Sequence, residues 1–452
     1  MSLETPLDPG PPEAQSTGAG WGFDVLYAVL AVLYAPMLLY RRLILRKDRF
    51  GGRQKRGHVP QRPEHPKRIW IHAVSVGEAK ATNVLAKQLA LDLPGAEVVF
   101  STTTDTGQEV AKKLYGEERV FYFPLDFSRC VKRALDRVRP SLVILMELEV
   151  WPNFTAECAK RGIPVVVLNG RMTERSAARY RRGLWLVGSS FRRVRRWLMQ
   201  DEAYAERILG MGVDPARVEV AGNVKYDDVE TELEPGRREA VRRELGLAED
   251  AQVLIGGSTH PTEEAALLGA CRLLKPKYPR LRLILCPRHP HRLAEVEKEI
   301  AAHGHAVLKH SAVKARGPAA LEELPEPARG DAVVLIDTMG ELTRLYAGAD
   351  IAFVGGSLIP HGGQNVMEPA GLGLACVYGP YMQNFGEAAL ILRDCDGAKL
   401  VEHAEALRAT LDLLLSDAGG ARAMGSRARA AFLQRQGATE RCVGYIRKLL
   451  EG

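Results

Sequence analysis

From Ile69 onward the chain repeats one pattern. A short aliphatic run rich in β-branched residues is closed by Gly, Pro, Ser or Thr, and a stretch with helical spacing follows. In the first half the runs are 69-IWIHAVSV-76, 97-EVVFSTTT-104, 120-VFYFPLD-126, 141-SLVILMELEV-150, 164-PVVVLNG-170 and 218-VEVAGN-223. In the second half they are 252-QVLIGGST-259, 282-RLILCPR-288, 332-AVVLIDTM-339, 351-IAFVGGS-357 and 375-ACVYGP-380. A strand with one wet face alternates polar and apolar residues. These runs are apolar almost throughout, so both faces must be covered, and helices between them make the sheets parallel. The expected class is α/β, with two Rossmann-like doubly wound domains and a cleft between them. Ligands in such sheets sit beyond the carboxyl ends of the strands.

The expected boundaries follow from composition. Residues 1–20 are rich in Pro, Gly and small polar residues and read as a disordered tail. The stretch 23-FDVLYAVLAVLYAPMLLY-40 is apolar and is followed by Arg41-Arg42, so 21–56 reads as a membrane anchor with a basic flank held in the cytoplasm. Asp24 and Pro36 keep a helix lying on the membrane, or a hairpin of the domain, as the alternative. Then come a first Rossmann-like domain over 57–228, a polar linker over 229–248 interrupted by Pro235-Gly236, a second Rossmann-like domain over 249–430, and a C-terminal helix over 431–452.

Charge placement is more informative than the net +7. Residues 41–56 carry a net +7 and residues 171–196 a net +8, so the remainder is acidic. That excludes a uniformly basic protein built to coat nucleic acid. The seven cysteines are scattered without a CxxC pair, which argues against a disulfide framework or zinc site.

The strand ends hold the candidate chemistry. A carboxylate, Glu78, stands where the first run gives way to a helix. Its role is either a general base or a simple complement to the helix dipole. Beyond other strands lie Glu147 and Glu149, Arg171, Lys225, Pro287-Arg288, Met339-Gly340-Glu341, and a glycine-rich loop leading to Asn365, Val366, Met367 and Glu368. Close backbone approach and free N–H groups at Gly362-Gly363-Gln364-Asn365 suit an anion, and Glu368 suits a ribose diol. The alternative is an ordinary glycine turn with an N-terminal Glu. Arg288 is either a phosphate partner or a surface charge, and Glu341 is either part of the site or a helix-capping acid. The loop is neither GxGxxG nor a P-loop, so oxidoreductase and NTPase readings are not favoured. The pair Asp394 and Asp396 has DxD spacing but sits in a charged helical region and is read as a surface feature.

Six segments in order, 72-HAVSVGE-78, 146-MELEVWPN-153, 223-NVKYD-227, 287-PRHP-290, 337-DTMGEL-342 and 355-GGSL-358 with Gly362–Asn365 and Glu368, resemble the 3-deoxy-D-manno-octulosonic acid (Kdo) transferases of lipopolysaccharide synthesis. The resemblance spans roughly residues 25–450. It implies a GT-B glycosyltransferase that uses CMP-Kdo as donor and a lipid A precursor as acceptor, on the cytoplasmic face of the inner membrane, inverting and with neither metal nor cofactor. It departs from the family pattern at Leu148, Val150, Gln364 and Pro369.

On that resemblance Glu78 is the expected base, with Glu147 or Glu149 assisting. Lys225 and Arg288 are expected to meet the charge of the departing CMP. Arg171, Arg192, Arg193, Arg195 and Arg196, mixed with aromatics, are expected to contact anionic lipid, or else to be a solvated helix with a core stripe. Competing readings are another GT-B transferase, a nucleotide-sugar epimerase, or a membrane-tethered scaffold for anionic partners.

Overall fold

The computed structural model of the 452-residue chain describes residues 21–43, 52–317, 319–325 and 329–451. The tail expected over 1–20 and part of the basic flank lie outside the described residues. The chain divides into two units: unit 1 runs through Asp228 and resumes at Arg435, and unit 2 is Val229–Gln434.

Unit 1 is built on seven parallel strands: β1 (Arg68–His72), β2 (Glu97–Thr102), β3 (Val120–Tyr122), β4 (Leu142–Met146), β5 (Val165–Gly170), β6 (Arg196–Met199) and β7 (Val218–Val220), in the order 3-2-1-4-5-6-7. Unit 2 repeats the plan with β8 (Gln252–Thr259), β9 (Leu281–Pro287), β10 (Val307–Lys309), β11 (Val333–Leu335), β12 (Ile351–Val354), β13 (Ala375–Tyr378) and β14 (Ala398–Leu400), in the order 10-11-9-8-12-13-14. The central strands are buried on both faces, which is why their sequences are apolar without alternation. The strand order reverses between β1 and β4 and again between β8 and β12. Helices there leave on opposite faces, so a crevice opens beyond the strand ends.

Three strands escape the sequence pattern. β10 and β14 are three residues long. β6 is hidden among arginines, because Arg196 itself lies in the sheet at 1% exposure, bonded to Glu219 and the Ala216 carbonyl.

The segment 229–248 is no free connector. Its helix Arg237–Glu244 packs into unit 2, where buried Arg242 donates to the Gly348 carbonyl and to Asp350. At the other end the helix Ala438–Glu451 is part of unit 1. Asp227 accepts from the N–H groups of Gly437 (2.7 Å) and Thr439 (2.5 Å), and Cys442, Val443 and Ile446 enter the same core as Leu85 and Leu89.

The N-terminal helix Trp21–Leu43 is fixed to unit 1 at its first turns. Phe23 packs on Ala156, Asp24 accepts from the N–H of Ser128 (2.8 Å) and from Asn153 (3.1 Å), and the Tyr27 hydroxyl donates to Asp126 (2.9 Å). Further along, Val32 and Leu33 are 72% and 69% exposed. Among the described residues no helix is long and apolar enough to cross a membrane, so the spanning form of the anchor expected over 21–56 is not shown. Tyr27, tied to buried Asp126, and Asp24, with backbone and amide partners, make the start of this helix a docked one.

Candidate active site

Beyond β1 the chain turns through Ala73–Ser75 into the helix Val76–Asp92. Ser75 caps that helix, accepting from the N–H of Glu78, and the Glu78 side chain reaches back over the helix start. Its Oε2 accepts from the N–H of Val74 (2.9 Å) and its Oε1 from the Ser75 hydroxyl (2.8 Å). The residue is 9% exposed. Burial, opposed by those two bonds and aggravated by the charge of Glu147, raises its pKa above the ordinary carboxylate range. The helix start favours the ionised form, but desolvation outweighs it. An ionised carboxylate has about four acceptor sites, so two remain for a substrate.

Glu147 follows β4 in a left-handed conformation, φ 57°, which turns the chain away from the sheet. Lys225 donates to its Oε1 at 3.4 Å. Glu149 accepts from the Trp151 indole at 3.1 Å. Its pKa is raised, by burial first and then by the charges of Glu78 and Glu147. Three carboxylates and one lysine thus bear on each other at the switch point of unit 1. His72, in the same motif as Glu78, is a core residue: its ring stacks on Phe123 and Nδ1 contacts the Ser101 carbonyl and hydroxyl, with burial pushing its pKa down to about 3.

In unit 2, Arg288 follows β9 and is exposed. Its guanidinium has no ion-pair or hydrogen-bond partner among the described residues. Next to it three imidazoles cluster, with His260 4.1 Å from His361 and 5.4 Å from His289 between ring centres. Burial and the neighbouring positive groups push the His260 pKa down to about 4. Glu368 accepts from Thr343 (3.0 Å) and from Asn365 (2.8 Å). Met339 stands 82% exposed on a turn made by Gly340, φ 79°. Glu341 is bonded to Lys314 and Arg344, which hold its pKa below the usual range.

Several expectations change here. The N–H groups offered to an anion near Gln364 are partly used: Gln364 donates to the Gly355 carbonyl and Met367 to the Asn365 side chain. A Cβ on Gly362 or Gly363 would strike Asn384 or Met382, so those glycines serve the packing of the 381–384 segment. Val366 is buried. Of the arginines expected to meet lipid, Arg196 is a core residue for the reason given above, and Arg193 and Arg195 are half-buried. Arg171 and Arg192 are exposed. Further exposed cations of that region are Arg175, Arg179, Arg181 and Arg182 on the helix Glu174–Arg182, beside Trp185 at 87% exposure. Trp197 and Phe191 lie in the core. Asp396 is paired with Lys399 and Arg427, and Asp394 with Arg393. Among the described residues no cluster of three or more His, Cys, Asp or Glu side chains is arranged to hold a metal ion.

Sequence reasoning missed Glu263, wholly buried at the start of the helix Glu263–Leu274, and the buried amide Gln200, and no sequence signal marks either. Asn223 opens the segment 223-NVKYD-227 and Asn169 stands at a strand end before glycine, but neither was given a role of its own.

A family profile described as 3-deoxy-D-manno-octulosonic-acid transferase (kdotransferase) matches residues 47–228. The chain is 33% identical over 388 residues to a 3-deoxy-D-manno-octulosonic acid transferase of Haemophilus influenzae, covering 85% of this chain and 88% of the relative. It is 32% identical to one of Bordetella pertussis, covering 84% and 86%. The UDP-GlcNAc 2-epimerase structure from Neisseria meningitidis superposes with a TM-score of 0.53 over 84% of this chain and all of that one. At 12% identity that likeness speaks for the two-domain α/β fold alone. Identity sustained across both units at the level of the Haemophilus relative is more than a shared fold produces, and the chain belongs to the 3-deoxy-D-manno-octulosonic acid transferase family of glycosyltransferases.

Proposed function

We propose that this protein transfers Kdo from CMP-Kdo to a sugar hydroxyl of a lipid A precursor, with inversion at the anomeric carbon, on the cytoplasmic face of an inner membrane. The observation that carries the reading is Glu78, a buried carboxylate with raised pKa, two acceptor sites unfilled, at the switch point of a unit whose relatives are named as Kdo transferases. Burial makes it a stronger base than a surface carboxylate, which suits removal of a proton from a hydroxyl. The hydroxyl proton passes to Glu78 as the acceptor oxygen bonds to the anomeric carbon. The bond from that carbon to the CMP phosphate oxygen breaks, and its electron pair leaves with CMP. In this reading Arg288, whose guanidinium has no partner among the described residues, meets the developing phosphate charge in place of a metal. Glu368 with Asn365, and the Met339–Glu341 turn, hold the nucleoside.

The N-terminal helix supports a surface attachment. Its Val29, Leu30, Val32 and Leu33 side chains are exposed, and the basic helix Glu174–Arg182 with Trp185 supplies cations and an indole suited to an anionic lipid surface. We assign the helix to lying on the membrane.

The test is incubation with CMP-Kdo and a tetraacylated lipid A precursor, with added Kdo units counted by mass and EDTA in a parallel reaction. Mass increments of whole Kdo residues, unaffected by EDTA, are expected. No increment, or turnover of UDP-sugars instead, overturns the reading.

A further inference from the structure

Lys225 lies in a five-residue turn, Asn223–Asp227, with no repetitive structure beyond one short 3₁₀ segment, Val224–Tyr226. A lysine on such a turn ordinarily samples many positions. This one donates to Glu147 at 3.4 Å. Three buried amide side chains account for the difference. Asn169, next to last in β5, is in the left-handed region, φ 54°, a conformation that asparagine tolerates better than most residues. Its side-chain oxygen accepts from the N–H of Val224 (3.1 Å), and its backbone carbonyl accepts from the side chain of Gln200 (2.9 Å). Gln200, just beyond β6, accepts from the Asn223 amide at 3.3 Å. Asn223 in turn accepts from the N–H of Lys225 at 3.0 Å. Downstream, Asp227 is tied to the C-terminal helix. Val224 and Tyr226 are buried, so the turn is fastened on both sides and the lysine is the member left facing Glu147.

The ladder crosses three strands that share a sheet edge-on with β4: β4 pairs β5, and β5 pairs β6. Glu147 donates its N–H to the Leu168 carbonyl, one residue before Asn169. Glu147 and Asn169 are therefore neighbours at adjacent strand ends, both with positive φ. The turn that carries the lysine and the strand that carries its carboxylate partner are built from one frame.

We infer that Asn169, Gln200 and Asn223 are positioning residues for the transfer reaction, acting through Lys225 to set its ammonium among the site carboxylates. The inference rests on the reading of Glu78 as base. The charged groups bearing on Glu78 are Glu147 and Lys225, with Glu149 coupled to both glutamates. The lysine favours the ionised form of Glu78 and Glu147 opposes it. A lysine held in place favours the ionised form of the base, while a lysine that wanders leaves the charge of Glu147 unopposed there.

The experiment measures kcat/KM against pH for the full chain with CMP-Kdo and a lipid A precursor. It compares wild type, Asn223→Ala, Gln200→Met, Asn223→Ser and Lys225→Met, alone and as the pair Asn223→Ala with Lys225→Met. Asn223→Ala and Gln200→Met are expected to lower kcat/KM by about tenfold, the rate equivalent of one hydrogen bond's free energy. They should also move the acidic limb of the profile upward, in the direction of Lys225→Met. The pair should behave as Lys225→Met alone, because the ladder has no other route to the base. Asn223→Ser, which keeps an oxygen for the N–H of Lys225, should recover most of the activity. Thermal unfolding of each variant reports folding separately, and Gln200→Met carries the test if Asn223→Ala does not fold. Additive losses in the pair, or an unmoved acidic limb, overturn the inference. Retained transfer in Glu78→Gln would overturn the base assignment by itself, and the non-additivity of Asn223 with Lys225 would still decide the ladder.

Discussion

Each unit places a buried glutamate in the same topological position, at the head of the first helix after its first strand, and the two have opposite occupations. Glu263 of unit 2 accepts four backbone N–H groups, from His260, Gly356, Ser357 and Leu358, at 2.7–3.0 Å. All its acceptor sites are filled and none of its surface is exposed. It is a brace that holds the Gly355–Leu358 loop against β8. Glu78 of unit 1 accepts one N–H and one hydroxyl, keeps two sites, and retains a strip of exposed surface. Burial raises both acids. A raised pKa in a buried carboxylate therefore does not identify a base. The count of donors already committed separates a reactive acid from a structural one.

That comparison can be broken at several points. Glu78→Gln should lower the rate of Kdo transfer by about 10²–10⁴-fold with the fold intact, measured as kcat alongside thermal unfolding. The pH behaviour has a definite sign. Because the folded pKa of Glu78 lies above its unfolded value, transfer should fail, as pH is lowered, sooner than for an ordinary carboxylate. The stability it contributes is present below the unfolded pKa and lost as pH rises through the folded one. Glu78→Gln should then be more stable than wild type at neutral pH, and lower stability there would contradict the desolvation argument. Glu263→Ala should do the reverse, costing roughly 3–5 kcal/mol in denaturant unfolding and weakening CMP binding through the loop rather than through contact.

Arg288→Ala against Arg292→Ala sharpens the same contrast within one loop. Arg292 is bonded to Glu264 at 2.9 Å and to Glu295, and it is buried, whereas the exposed Arg288 has no side-chain partner among the described residues. Removing Arg288 should weaken CMP binding by about 10–100-fold in titration calorimetry with little change in melting temperature. Removing Arg292 should lower the melting temperature first. Equal effects of the two on binding would dissolve the distinction. The smallest effect is expected at the N-terminal helix. Tyr27→Phe removes one hydrogen bond to Asp126, whose carboxyl is pushed up to about 6 by burial, and should loosen docking by about 0.5–1.5 kcal/mol, read as faster hydrogen exchange over residues 23–35.

Much of this was legible in the residues. Two parallel-sheet units follow from doubly buried strands, whose composition is dictated by contact with helices on both sides. The position of Glu78 just past a strand end follows from the same pattern. Other features were illegible for identifiable reasons. β6 was masked because Arg196 meets its charge partner, Glu219, on the neighbouring strand and so can enter a sheet that arginine ordinarily avoids. The helix Ala438–Glu451 was assigned away from unit 1 because its capping acid, Asp227, lies more than two hundred residues upstream. The glycines at 362 and 363 pointed to a ligand, but the close approach they permit is to the chain's own 381–384 segment.

By itself the sequence determined the fold class, the strand ends on which reactive groups stand, and the family to which the chain belongs, because each is written in local runs of residues whose burial and spacing are set by near neighbours. Tertiary structure alone decided which acid is spent as a brace and which is available, which arginines face outward, and what holds Lys225 against Glu147. Those outcomes depend on hydrogen-bond donors and charges brought in from distant segments, and a carboxylate's chemistry is governed by the partners that reach it rather than by the residues beside it in the chain.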